Sequence, residues 1–242
     1  MVLLRTIFVF FVTSLSMLFV FPFGIIAFLL SSLGLKKQMS FLTYKIAQGW
    51  AIVTLASTGC KLTIRGTENV PRKGGFCLVG NHNSILDIVL ILATVGRPIG
   101  FIAKKELALI PFLNIWILLI GGLFIDRKNI RKAVGTINEG IGRIKAGGSM
   151  IIFPEGTRSK GQGLLPFKSG SLKLATKAGC PMVPLAIAGS YEVFEKTGRL
   201  QTGPVSVSYA PAIATAEISA DEKRGLTDQV YGVIAGMLKD AP

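Results

Sequence analysis

The residues best suited to chemistry form one polar knot, Asn81-His82-Asn83-Ser84-Ile85-Leu86-Asp87. Residues 76–80 before it read as a short buried strand, and residues 88–92 after it as the first turns of a helix. His82 is the only histidine in 242 residues. Its side-chain type titrates near neutral pH, which suits it to proton transfer. Asp87 follows five residues later. On a single helix that spacing puts the two side chains on different faces. With His82 in the loop and the helix starting near Ser84, the loop can fold His82 back onto Asp87. The carboxylate would then hold one imidazole nitrogen and leave the other as a base. The same residues admit a purely structural reading, with Ser84-x-x-Asp87 as a capping box and His82 as a satisfied loop residue.

Other charged clusters close apolar runs: Lys104-Lys105 after 99–103, Asp126-Arg127 after 123–125, and Glu155 through Arg158 after 150–153. In a mainly parallel α/β sheet, ligands bind at the carboxyl ends of the strands. Parallel strands would therefore gather one base, one orienting acid and several cations along one edge. Fixed cations suit a phosphate, and arginine offers it a bidentate fork. Lys104 and Lys105 equally fit a solvated turn, and Arg127 and Arg158 could instead pair with Asp126 or Glu155.

The pattern after residue 61 supplies the elements that such clusters need. Leu62 and Ile64 alternate as a half-buried strand, and 69–75 is a loop. A helix is expected over 84–94 and a strand over 99–103. Residues 107–120 form an apolar stretch that is either a core helix or a further membrane-facing one. Ile130, Val134, Ile137, Ile141 and Ile144 mark an amphipathic helix closed by Gly147-Gly148. Strands over 150–153, 182–187 and 205–209 and a helix over 171–178 follow. Ser219-x-x-Glu222 caps a last helix with the stripe Leu226, Val230, Ile234 and Met237. The expected fold class is α/β, a mainly parallel central sheet flanked by helices, over 61–242.

Residues 1–60 form a separate N-terminal membrane-associated helical segment. An uncharged apolar run over 7–21 is expected to break at Pro22-Phe23-Gly24 and resume over 25–35, long enough in total to cross a bilayer. Arg5 and Lys36-Lys37 flank it, slightly favouring Lys36-Lys37 on the cytosolic side. Residues 39–57 read as an amphipathic interfacial helix, with Met39, Leu42, Ile46, Trp50 and Val53 at helical spacing. A spanning helix plus an interfacial one, a two-helix pair dipping into one leaflet, and a cleaved signal peptide all compete; the last lacks a clear cleavage site.

Composition narrows the partners. Half the residues are apolar, mean hydropathy is +0.56 and the formal net charge is +14. The 72 residues from 171 to 242 carry seven charges of each sign, so the excess lies in the first 170. A basic field recruits polyanions, and the apolar N-terminus beside it favours a membrane surface over nucleic acid. Cys60, Cys77 and Cys180 are odd in number, widely spaced and without a C-x-x-C. Three reduced thiols are expected, and neither a disulfide framework nor a metal site.

Four blocks in order resemble the glycerophospholipid acyltransferases: Asn81-His82-x4-Asp87, Gly122-Leu123-Phe124-Ile125-Asp126-Arg127, Phe153-Pro154-Glu155-Gly156-Thr157-Arg158-Ser159 and Val183-Pro184-Leu185-Ala186. They are most similar to the bacterial 1-acyl-sn-glycerol-3-phosphate acyltransferase subgroup. The resemblance implies transfer of a fatty acyl group from acyl-CoA or acyl carrier protein to the sn-2 hydroxyl of lysophosphatidic acid, giving phosphatidic acid. It implies His82 as general base oriented by Asp87. The acceptor site is implied at Arg127, Glu155, Gly156, Thr157 and Arg158, with Arg127 and Arg158 on the phosphate and Lys105 assisting. The thioester is a co-substrate, and no metal or bound cofactor is needed. Backbone N–H groups at the helix start or in the Glu155-Gly156 loop are candidate oxyanion donors. The expected location is the cytoplasmic (inner) membrane, with the catalytic domain on its cytoplasmic side. Another lyso-lipid acceptor, or a non-catalytic basic lipid-binding protein, are the alternatives. A hydrolase is disfavoured by the lack of G-x-S-x-G.

Overall fold

A computed structural model describes residues 2–168 and 170–241, with side chains throughout except at 36–38 and 220–222. Two long helices, α1 (Val2–Leu30) and α2 (Lys36–Thr58), precede a seven-stranded sheet. The chain continues as β1 (Lys61–Arg65), β2 (Cys77–Gly80), α3 (Leu86–Thr94), β3 (Gly100–Lys104), α4 (Leu113–Leu119), β4 (Leu123–Ile125) and α5 (Ile130–Lys145). It ends with β5 (Met150–Ile152), α6 (Lys173–Ala178), β6 (Met182–Ala188), α7 (Ser190–Val193), β7 (Pro204–Tyr209) and α8 (Ala220–Lys239).

The strand order is β1-β7-β6-β2-β5-β3-β4. The run β6-β2-β5-β3-β4 is parallel throughout. β7 is antiparallel to β6 and carries β1 parallel to itself. The sheet is thus mainly parallel with a reversed flank, and the carboxyl ends of β2 to β6 share one edge. The central strands are apolar at nearly every position because both faces are covered. Leu78, Ile151, Val183 and Leu185 face a core shared with α2 and α3. Cys77, Val79, Met150 and Met182 face the opposite core with Ile141 and Ile144 of α5, Leu174 of α6 and Val230 of α8. The three cysteines are free thiols.

α1 departs from the expected break. It continues through Pro22 to Leu30, because proline removes one N–H and the surrounding turns hold the rod. The chain turns instead at Ser31–Leu35, where Gly34 adopts φ 95°, a conformation glycine takes without a Cβ penalty. α2 then returns antiparallel. Arg5 near the start of α1 donates to the Thr58 carbonyl at 2.8 Å, and Trp50 Nε1 donates to the Thr13 carbonyl at 3.4 Å. α2 buries Thr43, Tyr44, Ala47, Ala51 and Thr54, and leaves Phe41, Leu42, Ile52 and Val53 outside. α1 buries only Thr6, Val9, Gly24 and Ala27 and exposes Leu4, Phe8, Phe11, Leu15, Leu18 and Phe19. This apolar face far exceeds what water tolerates on a folded surface. It marks association with a membrane, which α1 is long and apolar enough to cross.

The stretch 107–120 is not one helix. A 3₁₀ turn spans Lys105–Leu109 and α4 begins only at Leu113. Pro111 accounts for the break: it lacks a donor and keeps Ile110 extended at φ −86°, ψ 111°. Trp116, Ile117 and Ile120 are core, whereas Leu109, Ile110, Phe112 and Leu118 are exposed. The expected cap at Ser219-x-x-Glu222 depends on the Glu222 side chain, which lies outside the described residues.

Candidate active site

β2 delivers the polar knot to the sheet edge, and its first act is to tie that knot to β6. Asn81 Nδ2 donates to the Ile187 carbonyl and Asn81 Oδ1 accepts from the Ile187 N–H, both at 2.8 Å. The side chain thus replaces the backbone pairing lost where β2 ends. Asn83 Nδ2 reaches the same carbonyl at 3.0 Å, and Asn83 Oδ1 accepts from Ser159 Oγ at 2.6 Å.

His82 lies in the loop and folds back on Asp87, Nδ1 to Oδ2 at 2.7 Å. Asp87 is fully buried. Its Oδ2 also accepts from the N–H groups of Asn83 at 2.7 Å and Ser84 at 2.9 Å, and its Oδ1 accepts from Ser190 Oγ at 2.6 Å. Burying an ionised carboxylate is expensive unless its lone pairs are filled, and here they are filled from several directions. An ionised carboxylate accepts only, and against one the proton of this contact would belong to Nδ1, which would leave Nε2 as the basic nitrogen. The imidazole stacks on Phe153, with centroids 4.1 Å apart and planes inclined by 15°. The two readings of Ser84-x-x-Asp87 therefore coexist, since Asp87 bonds back to the Ser84 N–H as a capping residue does while it holds His82. Ser84 Oγ accepts from the Leu86 N–H at 3.1 Å, two residues on rather than three.

Glu155 is a buried brace. Its Oε1 accepts from the His82 N–H at 2.7 Å and its Oε2 from the Leu165 N–H at 3.0 Å. Burial raises its pKa above the usual carboxyl value, and the two N–H donors oppose that rise. The Ser159 N–H closes the circle on the His82 carbonyl at 2.7 Å. The histidine backbone is thus held on both sides by the 153–159 loop.

The cations lie further out and are differently engaged. Lys105 pairs with Asp126 at 2.8 Å and is half-exposed. That contact raises the Lys105 pKa and lowers that of Asp126, each mainly through the shared hydrogen bond. Arg127, exposed, donates to the Gly156 carbonyl. Arg158 pairs with Glu195. Neither arginine takes the ion pair with its sequence neighbour that the strand-end pattern allowed. Thr157 is exposed and Gly156 partly so. Gly156 adopts φ 69°, and a Cβ there would meet the Lys168 side chain at 2.7 Å.

Four of the candidate oxyanion donors are engaged within the fold. The N–H groups of Asn83 and Ser84 serve Asp87, that of Ile85 serves Glu195 at 3.2 Å, and that of Gly156 serves the Phe153 carbonyl at 3.0 Å. An apolar cavity of about 380 Å³ is lined by residues of α2, β1 and β7, by Leu86 and Leu90 of α3, and by Val193 and Ser190, the latter bonded to Asp87.

Two residues escaped the sequence reading. Ser190 stands just past β6 after Gly189, itself at φ 79°, so it belongs to the same family of strand-end positions. A lone serine adds no charge to the strand-end pattern. Glu195 sits beyond α7 with no local signal, and its bonds to Arg158 and to the Ile85 N–H are purely tertiary.

The parallel α/β edge thus gathers a His–Asp pair, a buried glutamate brace and a rim of cations in one place. The acyltransferase family pattern matches residues 61–188, and the chain belongs to that family. It is 32% identical over 77% of its length to a Borreliella burgdorferi 1-acyl-sn-glycerol-3-phosphate acyltransferase, covering 75% of that protein. It is 36% identical over 69% of its length to the Escherichia coli protein of the same name, covering 69% of it. The crystal structure of the 1-acyl-sn-glycerophosphate acyltransferase PlsC from Thermotoga maritima superposes with a TM-score of 0.84 at 29% identity, over 98% of this chain and 94% of that one.

Proposed function

We propose that the protein transfers a fatty acyl group from acyl-CoA or acyl carrier protein to the sn-2 hydroxyl of 1-acyl-sn-glycerol-3-phosphate, at the cytoplasmic face of the membrane. The observation that carries this is the His82–Asp87 contact through Nδ1, in a chain of this family. Nε2 removes the acceptor hydroxyl proton as the oxygen attacks the thioester carbonyl. Asp87 fixes the tautomer and stabilises the imidazolium. The tetrahedral intermediate collapses, the C–S bond breaks and the proton passes from Nε2 to the departing thiolate. No protein nucleophile is required, because the thioester is already activated.

Arg158 and Arg127 receive the acceptor phosphate, with Lys105 assisting; Glu155, Gly156 and Thr157 shape the loop that carries Arg158 and whose Gly156 carbonyl holds Arg127. Arg158 would exchange Glu195 for the phosphate, which offers it a bidentate partner. The apolar cavity is of a kind that accepts an acyl chain. The apolar face of α1 gives access to a substrate that resides in the bilayer, while a soluble thioester arrives from the cytosol.

The test is acyl transfer to paired acceptors with and without the phosphate. A strong preference for the phosphate-bearing acceptor that collapses in Arg158→Ala supports the assignment. Acylation indifferent to the phosphate would point to another lyso-lipid acceptor.

A further inference from the structure

We propose that the turn at residues 109–112 is a third membrane contact, separate from the α1–α2 pair, that seats the catalytic edge of the sheet against an anionic leaflet. The inference rests on the membrane reading of α1. Leu109 is 84% exposed and Phe112 45%, with Ile110 between them also exposed. Single exposed apolar residues need no explanation, but three of them on one turn do.

The turn is also built to hold them out. Phe112 adopts φ 68°, ψ −52°, and the Leu113 N–H donates to the Pro111 carbonyl at 2.8 Å. This is a γ-turn of the rare positive-φ kind, strained for a residue with a bulky side chain. Asn114 clamps it: the side-chain amide donates to the Ala108 carbonyl at 3.0 Å and the backbone N–H to the Ile110 carbonyl at 3.2 Å. A fixed turn that exposes apolar residues is unfavourable on both counts in water.

Its neighbours identify what covers it. The Phe112 ring meets Phe21 of α1 edge to face, with centroids 4.3 Å apart. Leu18 and Ile25, one helical turn to either side of Phe21, are exposed as well, so the turn adjoins the lipid-facing surface of α1. On its other side stand the exposed Lys104 and Lys105, where β3 reaches the catalytic edge. Glu106, also exposed, stands between these lysines and the turn; apolar tips beside charged side chains match a bilayer interface, where Lys104 and Lys105 meet acidic headgroups. Lys105 in turn pairs with Asp126, next to Arg127. The turn therefore links the depth of membrane insertion to the position of the proposed phosphate site.

The experiment uses full-length protein on vesicles of phosphatidylglycerol and phosphatidylethanolamine with acyl chains brominated at a fixed depth. Leu109→Cys in a Cys60→Ser background carries an environment-sensitive fluorophore, and Phe19→Cys carries the same label as a reference on α1. Quenching at both positions is expected. Quenching at 19 with a water-exposed label at 109 overturns the proposal and leaves the membrane reading standing; quenching at neither removes both. Contact between labels at 109 on two protein molecules, without lipid quenching, overturns it in favour of a second copy of this chain. In parallel, Leu109→Asp with Ile110→Asp should lower kcat/KM for a long-chain acceptor in vesicles by roughly tenfold or more. A monodisperse short-chain acceptor should be turned over within about twofold of wild type. An equal change on both acceptors, or none on either, overturns the proposal.

Discussion

The His82–Asp87 pair and the cationic rim beside it are built on opposite principles. Asp87 is sealed from water and receives hydrogen bonds from His82, Asn83, Ser84 and Ser190. Arg127, Arg158 and Lys105 are open to solvent to different degrees and each rests on a protein oxygen. The first region is finished before substrate arrives. On the proposed function the second is occupied by stand-ins, of which a phosphate would replace at least the Glu195 carboxylate. The difference follows from charge and dielectric. A buried carboxylate must be satisfied within the fold, whereas a solvated guanidinium can change partners at small cost. A base needs fixed geometry, and a headgroup clamp needs to open.

Substitutions should break these regions in different ways. The largest effects belong to the dyad. His82→Ala should lower kcat by about 10²–10⁴-fold, the usual contribution of a general base. Asp87→Asn should be milder, roughly 10–10³-fold, because an amide still reaches Nδ1 but turns an NH2 toward groups that themselves donate. Next comes the rim. Arg158→Ala should reduce kcat/KM for a phosphate-bearing acceptor by about 10–100-fold through KM and scarcely affect a phosphate-free one. A comparable fall on both acceptors would erase the contrast between fixed base and exchangeable clamp.

The brace is expected to act on stability. Glu155→Gln leaves one of two buried N–H groups facing an amide donor, which costs about 1–3 kcal/mol in denaturant unfolding at neutral pH. Its pH signature has a definite sign. The folded-state pKa of Glu155 is raised above 4.5, so the native state holds the extra proton. The stabilisation this brings is complete below pH 4.5 and is lost as pH rises through the raised value. That portion of the pH–stability curve should flatten in Glu155→Gln. The smallest effect is Ser190→Ala. It removes one of the donors on Asp87 and should slow turnover by only about 3–10-fold, recovered by Ser190→Thr.

Much of this was legible in the sequence. Apolar runs bounded by glycine, proline and charge located all seven strands, and the clusters ending them fell together once the run β6-β2-β5-β3-β4 proved parallel. His82 and Asp87 were readable because their chemistry lies within one local turn. Partners that depend on tertiary placement were not. Nothing near Arg158 announces Glu195, and the hydroxyl of Ser190 reaches Asp87 across 103 residues. Proline misled in both directions. Pro22 lies inside an unbroken helix, whereas Pro111 splits a stretch that hydropathy joins. Local propensity yields where neighbouring turns hold the rod, and prevails where a strained turn follows at once.

The most direct measurement is transfer of a labelled acyl group from acyl-CoA and from acyl carrier protein to 1-acyl-sn-glycerol-3-phosphate, with wild type and His82→Ala side by side. Wild type should form phosphatidic acid from at least one donor with little thioester loss when acceptor is omitted, and His82→Ala should retain lipid binding and lose transfer. Unchanged transfer in His82→Ala, or thioester loss independent of acceptor in wild type, would contradict a histidine base acting on an acceptor hydroxyl.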